Sequence, residues 1–252
     1  MKSRQILTKV QYKFGLGVIS FARHLWREPI AAEMPRISLN RHVFLITSTL
    51  SPSEKPLASS TRRSIFSAEE RLEQTLASIV SVRAKVPSAL VVLLENSDLV
   101  DAQAKALQDA VDWLVRFDAD PTSRILRDHG NKGVGEVYML QSIQKVLARF
   151  DYQLLFKLSA RYSLTERFAL ENFPRDRFGF LLRDGVASTR LYSVPGDLHD
   201  LYGRQLASAL IAGRFGVSIE DVMTRGLSPH RVKWLNPIGV GGPMGGGGWI
   251  DE

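Results

Sequence analysis

The chain has 252 residues, 44% of them hydrophobic, a net charge of +7 and no cysteine. That length supports one sizeable core, and the missing cysteines exclude disulfides, thiolate metal sites and a cysteine nucleophile. The basic excess sits at one end: residues 1–41 hold eight of the 33 Lys/Arg but only Glu28 and Glu33 of the 26 Asp/Glu. The remainder is near neutral, which is weak support for a nucleic-acid-binding domain, whose basic stripe belongs on the fold itself.

Residues 1–40 read as a basic amphipathic segment. Its longest uncharged run, Phe14 to Ala22, is far short of the roughly 20 residues needed to span a bilayer. Arg23, His24 and Trp26 stand where a signal peptide needs small residues. Within residues 1–28, cations alternate with Phe14, Leu16, Ile19, Phe21, Leu25 and Trp26. This pattern suits either peripheral contact with an anionic membrane or packing on the chain's own domain. The expected location is cytoplasmic, with possible attachment at the inner membrane face.

A folded domain is expected over 41–235. Val43-Phe44-Leu45-Ile46 reads as a central parallel strand, closed by the hydroxyls of Thr47, Ser48 and Thr49. Residues 51–65, rich in Ser, Pro and Thr, read as loop. Ser67 and Glu70 have capping-box spacing and open a helix with Leu72, Leu76, Ile79 and Val80 on its inner face, stopped by Pro87. Ala89 to Leu94 is a second buried strand, ending in Glu95-Asn96-Ser97. A helix is expected from Asp101 to Val115, then loop over 117–131. Lys132-Gly133-Val134-Gly135-Glu136 opens another helix with Met139, Ile143, Val146 and Leu147 inward.

At residues 151–162, strand period places Leu154, Phe156, Leu158 and Ala160 on one face and Lys157, Ser159 and Arg161 on the other. Cations on a strand that is otherwise buried are costly without an anion to meet them. A solvated edge strand is the competing reading. Phe178 to Leu182 and Thr189 to Val194 follow as strands joined around Asp184-Gly185. Then come a helix from Leu198 to Phe215, a short helix at Ser218 to Met223, and a Gly-rich tail over 236–252 expected to be flexible. The order predicts an α/β fold: a mostly parallel sheet flanked by helices, in a single main domain. Three strands end in polar residues, and ligands of open α/β sheets collect at the carboxyl ends of the strands.

No His spacing suits a metal, and Asp118-Ala119-Asp120 reads as loop because Pro121 follows. The Gly-containing turn at Lys132 to Glu136 could present N–H groups to phosphate or be a plain loop-to-helix junction. Glu95 could bind ribose or face solvent. Arg62, Arg71, Arg183 and Arg190 are scattered cations that each read more simply as surface residues. Glu220-Asp221 could supply a general base or merely solvate a helix.

The succession Leu-Ile-Thr-Ser-Thr, Glu-Arg-Leu, Leu-Leu-Glu-Asn-Ser, Lys-Gly-x-Gly-Glu and Phe-Lys-Leu-Ser-Ala-Arg-Tyr resembles a poorly characterised group of bacterial and viral glycosyltransferase-like proteins with a GT-A-like core. The likeness covers about residues 42 to 195. Its most distinctive piece is Lys157-Leu158-Ser159-Ala160-Arg161-Tyr162, with Ala160 where the family more often has Gly. GT-A enzymes usually end the corresponding strand in Asp-x-Asp, which holds a divalent metal. The resemblance therefore implies a transferase that uses neither metal nor cofactor. Lys157 and Arg161 would neutralise the diphosphate of a nucleotide-sugar donor, and Glu220 or Asp221 would activate a hydroxyl on a saccharide or lipid-linked acceptor. Thr47, Ser48, Thr49, Arg62, Glu95, Asn96, Lys132, Gly133, Glu136, Ser159, Tyr162 and Arg183 would hold the donor. The pathway implied is surface polysaccharide or lipopolysaccharide synthesis. Competing readings are a non-catalytic nucleotide-sugar-binding or assembly subunit of the same fold, and a phospholipid- or nucleic-acid-binding protein driven by the basic N-terminus.

Overall fold

The computed structural model describes residues 42–58, 63–183 and 185–252. The basic segment 1–40 with its expected membrane contact, Arg62, and the Asp184 half of the predicted turn lie outside them. Strands β1 (His42–Ser48), β2 (Leu90–Glu95), β3 (Trp113–Arg116) and β4 (Leu154–Ser159) run parallel. With β6 (Phe178–Arg183), β7 (Val186–Pro195) and β8 (Val232–Trp234) they form a seven-stranded sheet of order β3-β2-β1-β4-β7-β6-β8. Only β7 opposes the common direction, pairing antiparallel with both β4 and β6. The domain is thus α/β with a mostly parallel sheet.

Both faces of the sheet are covered, which is why β1 and β2 are apolar without alternation. Helices α1 (Ala68–Lys85) and α2 (Asp101–Ala110) pack on one face against Phe44, Ile46, Val91, Leu93, Leu154, Phe156 and Leu158. The other face carries Val43, Leu45, Val92, Leu94 and Leu155. It is covered by α3 (Pro121–Arg127), α4 (Gly133–Ser142), α5 (Gln144–Leu147), α6 (His199–Arg214) and α7 (Ile219–Val222). The capping box at α1 is formed in full. Ser67 Oγ accepts from the Glu70 N–H at 3.2 Å, and the Glu70 carboxylate accepts from the Ser67 N–H at 2.7 Å.

Three expectations fail locally. Val80, placed on the inner face of α1, is 66% exposed, while Thr75, Ser78, Ile79 and Val82 are buried. The helix expected to reach Val115 ends at Ala110, because Asp112 already exchanges hydrogen bonds with Val91 and leads into β3. Trp113 and Val115 are strand formers, and Leu114 falls at helical spacing after Leu107 and Val111 only by chance. The loop expected at 117–131 contains α3, whose start is signalled by an Asp-Pro pair: Asp120 accepts from the Thr122 N–H at 2.9 Å, and Pro121 needs no donor in the first turn.

The Gly-rich segment is folded rather than a flexible tail, so the domain continues past 235. Strands β9 (Val240–Pro243) and β10 (Trp249–Asp251) form a hairpin, and β9 also pairs with β5 (Ser163–Leu164). Glycine is needed here for close approach. At Gly242, with φ of +152°, a Cβ would lie 2.5 Å from the Arg161 carbonyl oxygen. The side chain of Glu252, 8% exposed, pairs with Arg183 and Arg190 and anchors the end of the hairpin to β6 and β7.

Candidate functional site

The parallel registers bring polar strand ends together. Thr47 lies opposite Ser159, and Ser48 opposite Glu95. At this carboxyl edge a cavity of about 120 Å³ opens, lined by Thr47, Ser48, Thr49, Arg71, Thr75, Lys132, Glu136, Met139, Ser159, Ala160 and Arg161. Of these, Thr47, Ser48, Thr49, Lys132, Glu136, Ser159 and Arg161 are the ligand candidates marked by the sequence; Arg71 reads there as a surface cation, Met139 and Ala160 as core positions, and Thr75 carries no signal.

Lys157 does not present its charge to the cavity. It points from β4 toward α4, is 1% exposed and forms an ion pair with Glu136. Its other two ammonium protons go to Ser159 Oγ and the Thr189 carbonyl, both at 2.6 Å. All three donors are therefore used inside the protein. Burial by itself would raise the Glu136 carboxyl. The Lys157 charge and hydrogen bond, the Thr47 hydroxyl at 2.7 Å and nearby Lys132 reverse that and hold it below the usual carboxylate range. The pair is internally neutral.

Arg71, Lys132 and Arg161 are different. Among the described residues none of them forms an ion pair. Arg71 reaches from α1, where its Nε donates to the Thr49 carbonyl at 2.5 Å and its Nη1 to Ser64 Oγ at 3.2 Å. Burial and the like charge of Arg161 lower its pKa to about 10, against the favourable influence of Glu95. Arg161, in the turn that follows β4, lies over the Tyr162 ring at 5.5 Å. Lys132 is exposed and immediately precedes α4. With Glu136 committed to Lys157, the cavity carries three cations that form no ion pair among the described residues, Glu95 acting on Arg71 without pairing with it.

Other expected ligand residues have different work. Glu95 is fully buried. One of its oxygens accepts from the backbone N–H groups of Leu50 at 3.2 Å and Ser97 at 2.7 Å, shaping the loops after β1 and β2. Asn96, 2% exposed, accepts from the Thr49 hydroxyl at 2.7 Å. The Gly133 N–H donates to Asn131 Oδ1 at 3.1 Å, and a Cβ at Gly133 would meet the Ile219 side chain at 2.9 Å. This glycine therefore serves helix packing and does not present its N–H to phosphate. Tyr162 is buried under the Arg161 and Arg190 guanidinium groups, and Arg183 pairs with Glu252. Glu220 accepts from Thr189 Oγ1 at 3.2 Å and sits in α7 beside its Ser218 cap. Asp221 faces Arg225 at 4.0 Å. Neither lines the cavity.

Among the described residues no cluster of three or more His, Asp or Glu could hold a metal ion, and no helix is long and apolar enough to cross a membrane.

No protein-family model and no curated protein sequence matches the chain. Solved structures do match. Core-mannan synthase A from Aspergillus fumigatus, in an Mn/GDP form, aligns at a TM-score of 0.47 and 12% identity, over 84% of this chain and 76% of that one. The galactosyltransferase LgtC, in complex with donor and acceptor sugar analogues, aligns at 0.46 and 11% identity, over 77% of this chain and 73% of that one. An active-site mutant of LgtC gives 0.45 and 11%. Overlaps this partial assign no role to any residue of this chain.

Proposed function

We propose that the protein is a glycosyltransferase that moves a sugar from a nucleotide-diphosphosugar to a hydroxyl acceptor without a divalent metal, in surface polysaccharide or lipopolysaccharide synthesis. One observation carries this reading: Arg71, Lys132 and Arg161 converge, without carboxylate partners, on a cavity at the carboxyl ends of parallel strands. The resemblance of the sequence to GT-A-like proteins supplies the reaction class.

The cavity is smaller than the roughly 300–1,000 Å³ that encloses a whole small-molecule ligand. It suits the diphosphate, with sugar and base lying beyond it. As the bond between the anomeric carbon and the diphosphate breaks, negative charge grows on the leaving oxygen. Fixed guanidinium groups stabilise that charge more than they stabilise the ground state. Arg161 and Arg71 can each offer two parallel N–H donors, and Lys132 a point charge. Lys157 acts indirectly, fixing Glu136 and Ser159 as acceptors for ligand hydroxyls. A divalent cation does not fit these residues. Glu136 is the single carboxylate among the lining residues, and its charge is already met by Lys157.

The test is thermal stabilisation by UDP-, GDP-, CMP- and dTDP-sugars in wild type and Arg161→Ala, followed by turnover of a labelled donor with and without excess EDTA. Stabilisation that needs Arg161, with transfer undiminished by EDTA, is expected. Transfer abolished by EDTA would sink the metal-free mechanism. With Glu136 engaged by Lys157 and Glu220 outside the cavity, no free carboxylate base lines it among the described residues. This favours, as second reading, a nucleotide-sugar-binding subunit without turnover, for which stabilisation would appear and transfer would not.

A further inference from the structure

We propose that Gly245, in the turn of the C-terminal hairpin, is a positioning residue for Arg161: the absence of a side chain at 245 creates the space in which the Arg161 guanidinium is held at the anion cavity. The inference rests on the anion-site reading above and names the element that completes the site.

A Cβ built on Gly245 would lie 2.2 Å from Arg161 Nη1 and 3.3 Å from its Cζ. Contacts under 3.0 Å are not tolerated, so any other residue at 245 displaces the guanidinium. The turn itself does not depend on Arg161. Met244 N–H donates to the Gly248 carbonyl at 3.0 Å, Gly247 N–H to the Met244 carbonyl at 2.9 Å, and Ile65 N–H to the Gly245 carbonyl at 3.1 Å. The last bond ties the turn to the segment that leads into Ser64, the hydroxyl that receives Arg71 Nη1. The hairpin turn therefore touches the surroundings of both arginines.

The physical consequence is selective. Gly245 is not among the glycines with positive φ, so alanine is unstrained there. The atom it strikes is the tip of a long flexible side chain, which swings aside at little cost in stability but loses its place. Gly242 differs, because its clash is with the Arg161 backbone. Gly246, also without positive φ, has nothing within 4 Å of an added Cβ and serves as the neighbouring control.

The experiment measures binding of inorganic pyrophosphate to the full chain by isothermal titration calorimetry. Wild type, Arg161→Ala, Gly245→Ala, Gly246→Ala and the Gly245→Ala/Arg161→Ala double variant are compared, with Tm recorded for each. Gly245→Ala should weaken binding at least tenfold, as Arg161→Ala does, at an unchanged Tm, while Gly246→Ala stays within about twofold of wild type. The double variant should bind no more weakly than Arg161→Ala alone, since a displaced guanidinium and an absent one have the same effect. If Gly245→Ala binds like wild type while Arg161→Ala is weak, the inference fails and the anion site stands. If the two losses multiply in the double variant, or if affinity falls only with a large loss of Tm, Gly245 does not act through Arg161. If wild type ignores pyrophosphate, or Arg161→Ala binds it unchanged, the anion site itself is refuted.

Discussion

Replacing Lys157 by methionine separates a buried structural cation from a ligand-binding one. The ammonium is 1% exposed and donates to Glu136, Ser159 Oγ and the Thr189 carbonyl. Methionine matches the length of the stem but removes the charge and all three donors. Glu136, 22% exposed, would keep the Thr47 hydroxyl at 2.7 Å and Ser159 at 3.4 Å, too little to replace its counter-ion. Removing one member of a buried pair costs about 3–5 kcal/mol, because the other charge is left behind. Equilibrium urea unfolding reads this directly: at an m-value of about 2 kcal/mol/M, the midpoint falls by roughly 1.5–2.5 M. A second substitution, Glu136→Gln, removes the stranded charge. The double variant should therefore be more stable than Lys157→Met alone by more than about 1 kcal/mol, because the charge stranded by the first substitution is gone. A loss below about 1 kcal/mol for Lys157→Met, or a double variant no better than the single, refutes the structural assignment and returns Lys157 to the cavity.

Two further outcomes follow from groups remote from the cavity. His199 Nδ1 shares a hydrogen bond of 2.6 Å with the Tyr152 hydroxyl, and its Nε2 donates to the Gln144 carbonyl at 3.0 Å. Burial lowers its pKa against the opposing effects of the Gln144 carbonyl and Asp200. The contribution to stability is therefore complete above about pH 6.5 and is lost as pH falls through the folded-state pKa, with a slope below the one-proton maximum of about 1.4 kcal/mol per pH unit. Unfolding free energies between pH 7 and 5 should show this slope in wild type and not in His199→Gln; an equal slope in both contradicts the assignment. In the core, the Phe156 ring stacks on Phe44 at 4.6 Å between centroids and meets the edge of Phe173 at 4.9 Å. Phe156→Ala should cost about 3–5 kcal/mol in the same urea assay, and a loss under about 1 kcal/mol would mean that the aromatic cluster collapses around the gap.

The parts of the fold that were legible in the sequence are those set by local chemistry. Buried parallel strands show as unbroken runs at Val43 to Ile46 and Ala89 to Leu94, and the capping box at Ser67 and Glu70 marks the start of α1. The alternation of residues 154–160 placed Leu154, Phe156, Leu158 and Ala160 on the core face, where all four are found. What was not legible depends on partners distant in sequence. Lys157 and Glu136 are separated by 21 positions and meet only because α4 packs over β4. A cation on a strand is costly without an anion; that much is visible in the sequence, but the anion turned out to be a side chain of the protein and not a ligand. Arg71 was passed over for the same reason. On α1 it is one charge among several, and only the packing of α1 beside the end of β1 brings it to the cavity. The glycines of the C-terminal segment suggested flexibility, because composition does not distinguish a mobile chain from one that must approach Arg161 closely.

The electrostatics of the cavity yield a prediction that does not require the donor to be known. Burial and the charge of Arg161 both disfavour the charged form of Arg71, so the fold holds two like charges together at a cost offset elsewhere. Removing Arg161 relieves that repulsion and breaks no ion pair among the described residues. The unliganded Arg161→Ala protein should then unfold within about 0.5 kcal/mol of wild type, in contrast to Lys157→Met. The difference appears once an anion is present. At a pyrophosphate concentration of about 100 Kd, wild type gains about 2.7 kcal/mol, whereas a variant binding roughly 30-fold more weakly gains only about 0.9 kcal/mol. Added salt should shrink the gap, since screening weakens the attraction at the partly exposed cations Lys132 and Arg161. Equal stabilisation of both proteins would mean that the anion binds elsewhere, and the convergence of three unpaired cations would then be an accident of packing. Unequal stabilisation at nearly equal unliganded stability would identify Arg161 as a residue kept for its ligand, because it contributes little to holding the fold together.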